Sequence, residues 1–190
     1  MDETSQKIID AAMTLVRDKG YVAMTTKDIA KLAEVNECTL FRKFAGKKEI
    51  VLGGLEQEKW RADITMEIFQ DVAWELETDL AMFLREYMKR MTPDFVRLSI
   101  GLRAPQIYEE TEAFIRKVPE AFLSALTAYF KEMKKRGKLP DGRAEELALM
   151  LFSQVFGFTF LDASFGRKLL AVEREKFIKQ TVSVFLHGIL

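Results

Sequence analysis

The chain has one cysteine, one histidine and four prolines in 190 residues, and its net charge is zero. Each shortage closes off a class of protein. A single cysteine forms no internal disulfide, so a reducing, cytoplasmic setting is expected. The lone His187 and lone Cys38 leave no metal-ligand spacing, and no glycine-rich phosphate loop or nucleophile elbow is present. Neither an enzyme nor a metal or other cofactor is expected. The longest apolar stretch, around residues 147–161, is broken by Ser153, Gln154 and Gly157. A bilayer span needs roughly eighteen or more apolar residues, so no membrane association is expected. The start, Met-Asp-Glu-Thr, lacks the basic and apolar segments of a secretion signal. With 29 Lys plus Arg against 29 Asp plus Glu, the chain is not one that coats nucleic acid by charge alone. A local basic patch remains open.

What the chain does have is helical periodicity. It is 48% hydrophobic and 31% charged, enough to bury a core under a solvated surface. Period-two alternation is absent, so no strand is expected and the fold class is all-α. The first helix is expected over about Thr4–Lys19, with Ile8, Ala12, Leu15 and Val16 inward and Gly20 closing it. Thr25 and Asp28 form a capping box for a second, and Asn36 caps a short third reaching Phe44. A fourth is expected from near Gly46 to about Asp63. Longer, more apolar helices follow over about 75–91, 93–103, 106–117, 119–136, 142–165 and 172–187. Pro93, Pro105 and Pro119 fall at expected helix starts, where a missing N–H costs least. Residues 137–142, Gly-Lys-Leu-Pro-Asp-Gly, mark a break. The expected division is a helix-turn-helix domain over 1–48 and a larger helical domain over 49–190, with the fourth helix (47–63) as connector.

Two short helices across a tight turn, the second with a polar and basic outer face, have the shape that enters a major groove. From Cys38 to Lys48 there are four cations (Arg42, Lys43, Lys47, Lys48) and no acid, although residues 1–63 hold eleven cations and eleven anions. Phosphates would be held by such side chains and by free N–H groups at helix starts. A solvated basic face on a small helical bundle has the same composition.

The residues Ile9-Asp10-Ala11-Ala12, Gly20, Thr25-Thr26, Asp28-Ile29-Ala30, Ala33, Val35-Asn36, Thr39-Leu40-Phe41, Phe44 and Lys47 resemble, in register and without gaps, the DNA-binding domain of the TetR family of repressors. The resemblance covers about residues 8–50. It implies that Thr26 and Lys47 touch phosphates, that Thr39 and Lys43 face the DNA backbone or base edges, and that Asn36, Glu37 and Cys38 lie nearest the bases. Phe41, Arg42 and Lys48 complete the expected DNA-binding set. Three positions depart from the family pattern. Glu34 stands where the turn usually carries glycine, and a left-handed backbone there would cost about 1–2 kcal/mol. Phe41 replaces a common tyrosine and loses a hydroxyl. Glu37 is acidic in a groove rimmed by phosphates, which suits a carboxylate that accepts from a cytosine amino group.

Gly53-Gly54 lies inside the fourth helix, where each glycine costs about 1 kcal/mol relative to alanine. Close packing against the first helix explains the pair; so does a bend that lets the DNA-binding head move. Further on, Trp74, Phe83, Tyr87, Phe95, Tyr108, Phe114, Phe122 and Phe156 are candidates to line an apolar pocket for a small hydrophobic effector. Aromatic residues at helical spacing are also ordinary core. Asp162, at the end of an apolar run, is a candidate to pair with a nearby cation or cap its helix. The resemblance implies a homodimer formed by the last two helices, with Leu151, Gln154, Val155, Phe158 and Leu161 on one and Phe177, Thr181, Val184 and Phe185 on the other. A ligand-responsive repressor acting as a homodimer on a palindromic DNA operator is the expected function. The alternatives are an all-α protein-interaction adaptor or a small helical enzyme with an incidental basic head.

Overall fold

The computed structural model describes residues 1–61, 71–139 and 144–189, and every regular element in them is helical. The chain divides into two compact units, Met1–Arg61 with Asp94–Arg116, and Ala62–Pro93 with Lys117–Leu190. Against the expected boundary at residue 48, the first unit keeps the whole of the fourth helix and recruits a later segment.

The first unit is built on α1 (Glu3–Ala23), capped by Asp2, whose carboxylate accepts from the Ser5 N–H at 3.0 Å. Gly20, at φ 81, breaks the helical backbone where the sequence expected it to end. Ile8, Ile9, Ala12, Met13 and Val16 form its fully buried face. Helices α2 (Thr26–Leu32) and α3 (Glu37–Lys43) contribute Ile29 and Leu40, and α4 (Lys47–Leu55) contributes Ile50 and Val51. The α4 helix stops at Leu55, short of the expected Asp63, and a 3-10 turn follows at Glu58–Trp60; Asp63 lies outside the described residues. Gly54 belongs to this core. A Cβ there would lie 2.6 Å from the Met13 sulfur, so close packing on α1 accounts for it. The later segment holds residues 94–101 of α6 (Pro93–Gly101) and the first turns of α7, adding Leu98, Leu102, Ile107 and Ile115 to the same core. Gly101 is its tightest point, because a Cβ there would fall on the Val16 carbonyl oxygen, well inside contact distance.

The second unit contains α5 (Leu76–Arg90), the rest of α7 (Tyr108–Lys135), α8 (Ala144–Phe165) and α9 (Arg174–Ile189). The two helices expected over 106–117 and 119–136 are one, running through Pro119. Proline there forfeits the bond its N–H would make to the carbonyl four residues back and crowds that carbonyl with its ring, at a cost of about 3 kcal/mol, and the helix nonetheless continues through it. Helix α7 ends at Lys135, just before the expected break at 137; residues 140–142 of that break lie outside the described residues. Tyr87 packs on Phe122 at 4.8 Å and on Phe152 at 5.6 Å between ring centroids, and Phe158 stacks on Phe177 at 4.2 Å. The Asp79 carboxylate, buried, accepts from the Ala73 and Glu75 N–H groups and from the Tyr129 hydroxyl at 2.8–3.0 Å. It thereby fixes the entry to α5, where Trp74 sits at φ 58 between the Tyr129 ring and Arg136.

The interface expectations need correction. Leu151, Val155, Phe158, Thr181 and Phe185 are buried inside the second unit, and Phe177 is committed to Phe158. Of the expected set, Val184 on α9 is 60% exposed, Gln154 is exposed and Leu161 is half-buried, and the outward apolar stripe on α8 is Leu149, Met150, Phe156 and Phe160. Because α8 is apolar nearly all round, its sequence gave no contrast between faces. By length and composition alone α8 would be long and apolar enough to cross a membrane, with a mean hydropathy of 1.5 over eighteen residues, a test that the core helix of a helical unit also passes. Asp162 pairs with Arg174 at 2.9 Å. The expected pocket residues divide: Phe95, Tyr108 and Phe114 fall in the first unit, and Trp74, Phe83, Tyr87, Phe122 and Phe156 in the second.

Candidate nucleic-acid interface

Local hydrogen bonds set the geometry of the helix-turn-helix. The Thr25 hydroxyl accepts from the Asp28 N–H at 3.1 Å while the Asp28 carboxylate accepts from the Thr25 N–H at 3.0 Å, closing the capping box. Asp28 also accepts from Lys19 at 2.7 Å. That ammonium first, then the Thr25 hydroxyl and N–H, hold its carboxyl well below the usual carboxylate range. Asn36 caps α3 by accepting from the Thr39 N–H at 2.7 Å and from the Thr39 hydroxyl at 2.9 Å. Between the helices, Glu34 takes the left-handed backbone at φ 57, and its side chain is exposed. The strain foreseen at that position is present, of order 1–2 kcal/mol for a residue with a Cβ.

The outer face of α3 presents Asn36, Cys38, Phe41 and Arg42 to solvent, with Phe41 52% exposed. Arg42 has no side-chain partner among the described residues; neither do Lys27 and Lys31, four residues apart on α2. Other expected contacts are engaged within the unit. Lys43 donates to both oxygens of Asp2 at 2.9 Å, which together with Ser5 draws the Asp2 carboxyl far below its ordinary value. Lys48 is ion-paired with Glu110, and each holds the other in its charged form. The Lys47 ammonium points inward. It donates to the carbonyls of Tyr21 at 3.0 Å and Met24 at 2.8 Å and lies 4.5 Å from the Tyr21 ring centre, tying the start of α4 to the end of α1. A phosphate would have to compete with those carbonyls for it. The Thr26 hydroxyl donates to the Glu37 carboxylate at 2.6 Å, so the residue expected on a phosphate and the residue expected on a base are bonded to each other.

Sequence reasoning missed Asp2 and Glu110 as partners of Lys43 and Lys48. Asp2 did carry a signal, since an aspartate three residues before Ser5 at a helix start is a cap. Nothing local announces Glu110, sixty-two residues away in sequence from Lys48.

The comparisons with known proteins agree on this element. The family model described as bacterial regulatory proteins, tetR family, matches residues 8–53. The chain is 28% identical over 189 residues, covering 100% of itself and 98% of its relative, to the HTH-type transcriptional regulator YvkB of Bacillus subtilis (strain 168). Residues 8–53 carry a tetR-family DNA-binding domain. A second relative is the HTH-type negative transcriptional regulator IcaR of the Staphylococcus aureus (strain Newman) biofilm operon icaADBC, 26% identical over 90% of this chain and 89% of that one. Among solved structures, the regulator FadR from Bacillus subtilis in complex with stearoyl-CoA shares the fold, with a TM-score of 0.66 at 18% identity over 97% of this chain and 99% of that one. The chain is therefore a DNA-binding transcriptional regulator, and the capped pair α2–α3 is its helix-turn-helix.

Proposed function

We propose that the chain is a repressor that binds a palindromic operator as a homodimer and leaves it when a small apolar effector enters the second unit. The observation that carries the DNA-binding part is the outer face of α3: an exposed row of Asn36, Cys38, Phe41 and Arg42 on a helix pinned at both ends, flanked by unpaired Lys27 and Lys31. Arg42, Lys27 and Lys31 supply phosphate contacts directly. Lys43 and Lys48 join them by exchanging Asp2 and Glu110 for phosphate, a swap with a small penalty because exposed ion pairs contribute little. The name of IcaR, a negative regulator, supports repression.

Dimer formation is supported by the apolar stripe of Leu149, Met150, Phe156, Phe160 and Val184, with Ser153 and Gly157 small enough for close helix contact. A second copy covering this stripe sets two heads for half-sites roughly 34–36 Å apart. The effector reading rests on the aromatic cluster of Tyr87, Phe122, Phe152 and Phe156 in the second unit, and FadR, a relative in fold, is solved with stearoyl-CoA, whose acyl chain is apolar. Action in the cytoplasm follows from work on DNA.

The test is a mobility-shift titration on DNA upstream of the chain's own gene. A shift competed by the same palindrome but not by scrambled DNA, and weakening as salt rises, is expected. Absence of a sequence-specific shift at low salt on any palindrome from that region would overturn the assignment.

A further inference from the structure

We propose that Glu37 reads one base pair of each half-site with a carboxylate held in place by Thr26, and that Thr26 is a positioning residue and not a phosphate contact. The proposal rests on the DNA-binding reading above and assigns its specificity. Thr26 opens α2, Glu37 opens α3, and the Thr26 hydroxyl donates to Glu37 Oε1 at 2.6 Å across the turn. A threonine hydroxyl has one proton. Given to Glu37, it is not available to a phosphate oxygen, which accepts only. Both residues are half-buried, so the bond is partly shielded from competing water.

The consequence for recognition follows from the carboxylate. An ionised glutamate only accepts, and Oε2 has no partner among the described residues. In the major groove the amino groups of cytosine and adenine donate, whereas guanine and thymine present acceptors that repel it. Adenine carries its N7 acceptor beside its amino group; cytosine has no acceptor there. Cytosine is therefore the preferred partner. A glutamate on an exposed helix start is otherwise among the more mobile side chains, and fixing it before docking removes an ordering cost at the moment of binding.

The experiment first selects the operator from a randomised palindrome with the full-length protein. Affinity is then measured by fluorescence anisotropy on four duplexes that differ only at the pair assigned to Glu37. Wild type is expected to favour cytosine over the other bases by about tenfold, within the usual span for one base contact. Glu37→Ala should abolish that preference, and Glu37→Gln should move it to adenine, which an amide pairs on both edges. Thr26→Val should cut the preference about threefold while Thr26→Ser keeps it, and Thr26→Val should have no further effect in the Glu37→Ala background. Helix content and unfolding temperature establish that each variant is folded; Thr26→Ala replaces Thr26→Val if that variant is not. A Thr26→Val protein that loses affinity equally on all four duplexes, with its preference intact, overturns the proposal in favour of a phosphate contact. A Glu37→Ala protein that still prefers cytosine overturns it from the other side. Failure of wild type to select any sequence would instead overturn the DNA-binding reading itself.

Discussion

The two units are made of similar helices and held together by different means. In the first, the core rests on small residues at close approach: Ala11, Ala12, Ala30 and Ala33 are buried, Gly54 lies against Met13, and Gly101 lies against the Val16 backbone. In the second, rings do the packing, with Tyr87 on Phe122, Phe83 on Tyr129 at 5.0 Å and Phe158 on Phe177. The difference is one of tolerance. A contact made by a missing Cβ has no rotamer to adjust, whereas aromatic and aliphatic cores absorb changes of shape by repacking. The first arrangement suits a head that must hold two helices at a fixed angle to a groove. The second suits the unit proposed above to admit an effector.

The most severe test of that contrast is Gly101→Val. Any Cβ at this position meets a backbone carbonyl, so α6 and α1 must move apart, and the extra methyl groups force them further. A loss of about 3 kcal/mol is expected, at the upper end of overpacking costs, or roughly 6–12 °C in melting temperature for a chain of this size. Phe122→Leu, which trims a fully buried ring, should cost about 1–2 kcal/mol, well short of the roughly 3–5 for Phe→Ala. Thermal unfolding of both variants checks the pair. Equal losses would dissolve the distinction.

Asp79→Asn tests whether the second unit has a rigid point of its own. The carboxylate accepts three hydrogen bonds, two from backbone N–H groups and one from Tyr129. An amide offers one oxygen and turns its NH2 toward a donor, leaving a buried clash. Bonds to a charged group contribute about 1.5–3 kcal/mol each, and a net loss of about 2 kcal/mol is expected. Trp74, held beside Tyr129 by this entry turn, should change its fluorescence in the folded protein. An unchanged spectrum and stability would mean that the ring packing alone fixes the segment.

How much of this was legible in the sequence depended on distance along the chain. The capping box of Thr25 and Asp28, the Asn36 cap and the stop at Gly20 are contacts within four residues, and each was readable because one residue type in one position suffices. Glu34 stands where the family pattern has glycine, which makes a left-handed backbone one reading of the turn, and its φ is 57. Side-chain partners were not legible. Lys43 meets Asp2 forty-one residues away and Lys47 meets Tyr21 twenty-six away, so a run of cations read as free was largely engaged. Pro119 misled in the other direction, because a helix with enough apolar face runs through a proline that local rules place at its start. In α8 the difficulty was lack of contrast. With apolar residues on every side, periodicity could not separate Leu151 and Val155, which are buried, from Leu149 and Met150, which are not.

The smallest expected effect is at Tyr87, and it probes the ring-packed unit where it is least complete. The side chain is fully buried between Phe122 and Phe152, and its hydroxyl makes no hydrogen bond of normal geometry. Its polar neighbour, the Thr159 hydroxyl, donates to the Phe156 carbonyl at 2.9 Å. Burial pushes the Tyr87 phenol well above its ordinary value, so it stays neutral. A buried hydroxyl without a partner costs roughly 1–3 kcal/mol of desolvation on the mutational scale, part of which Thr159 offsets. Tyr87→Phe should therefore leave stability unchanged or raise it by up to about 1 kcal/mol, measured by denaturant titration with an unaltered slope. The sign decides what kind of core this is. A gain means the second unit tolerates an unsatisfied polar group in its interior, as a cavity that exchanges contents would. A loss of more than about 1 kcal/mol means the hydroxyl is bonded to Thr159 in solution, and the ring-packed unit is then as closely specified as the head.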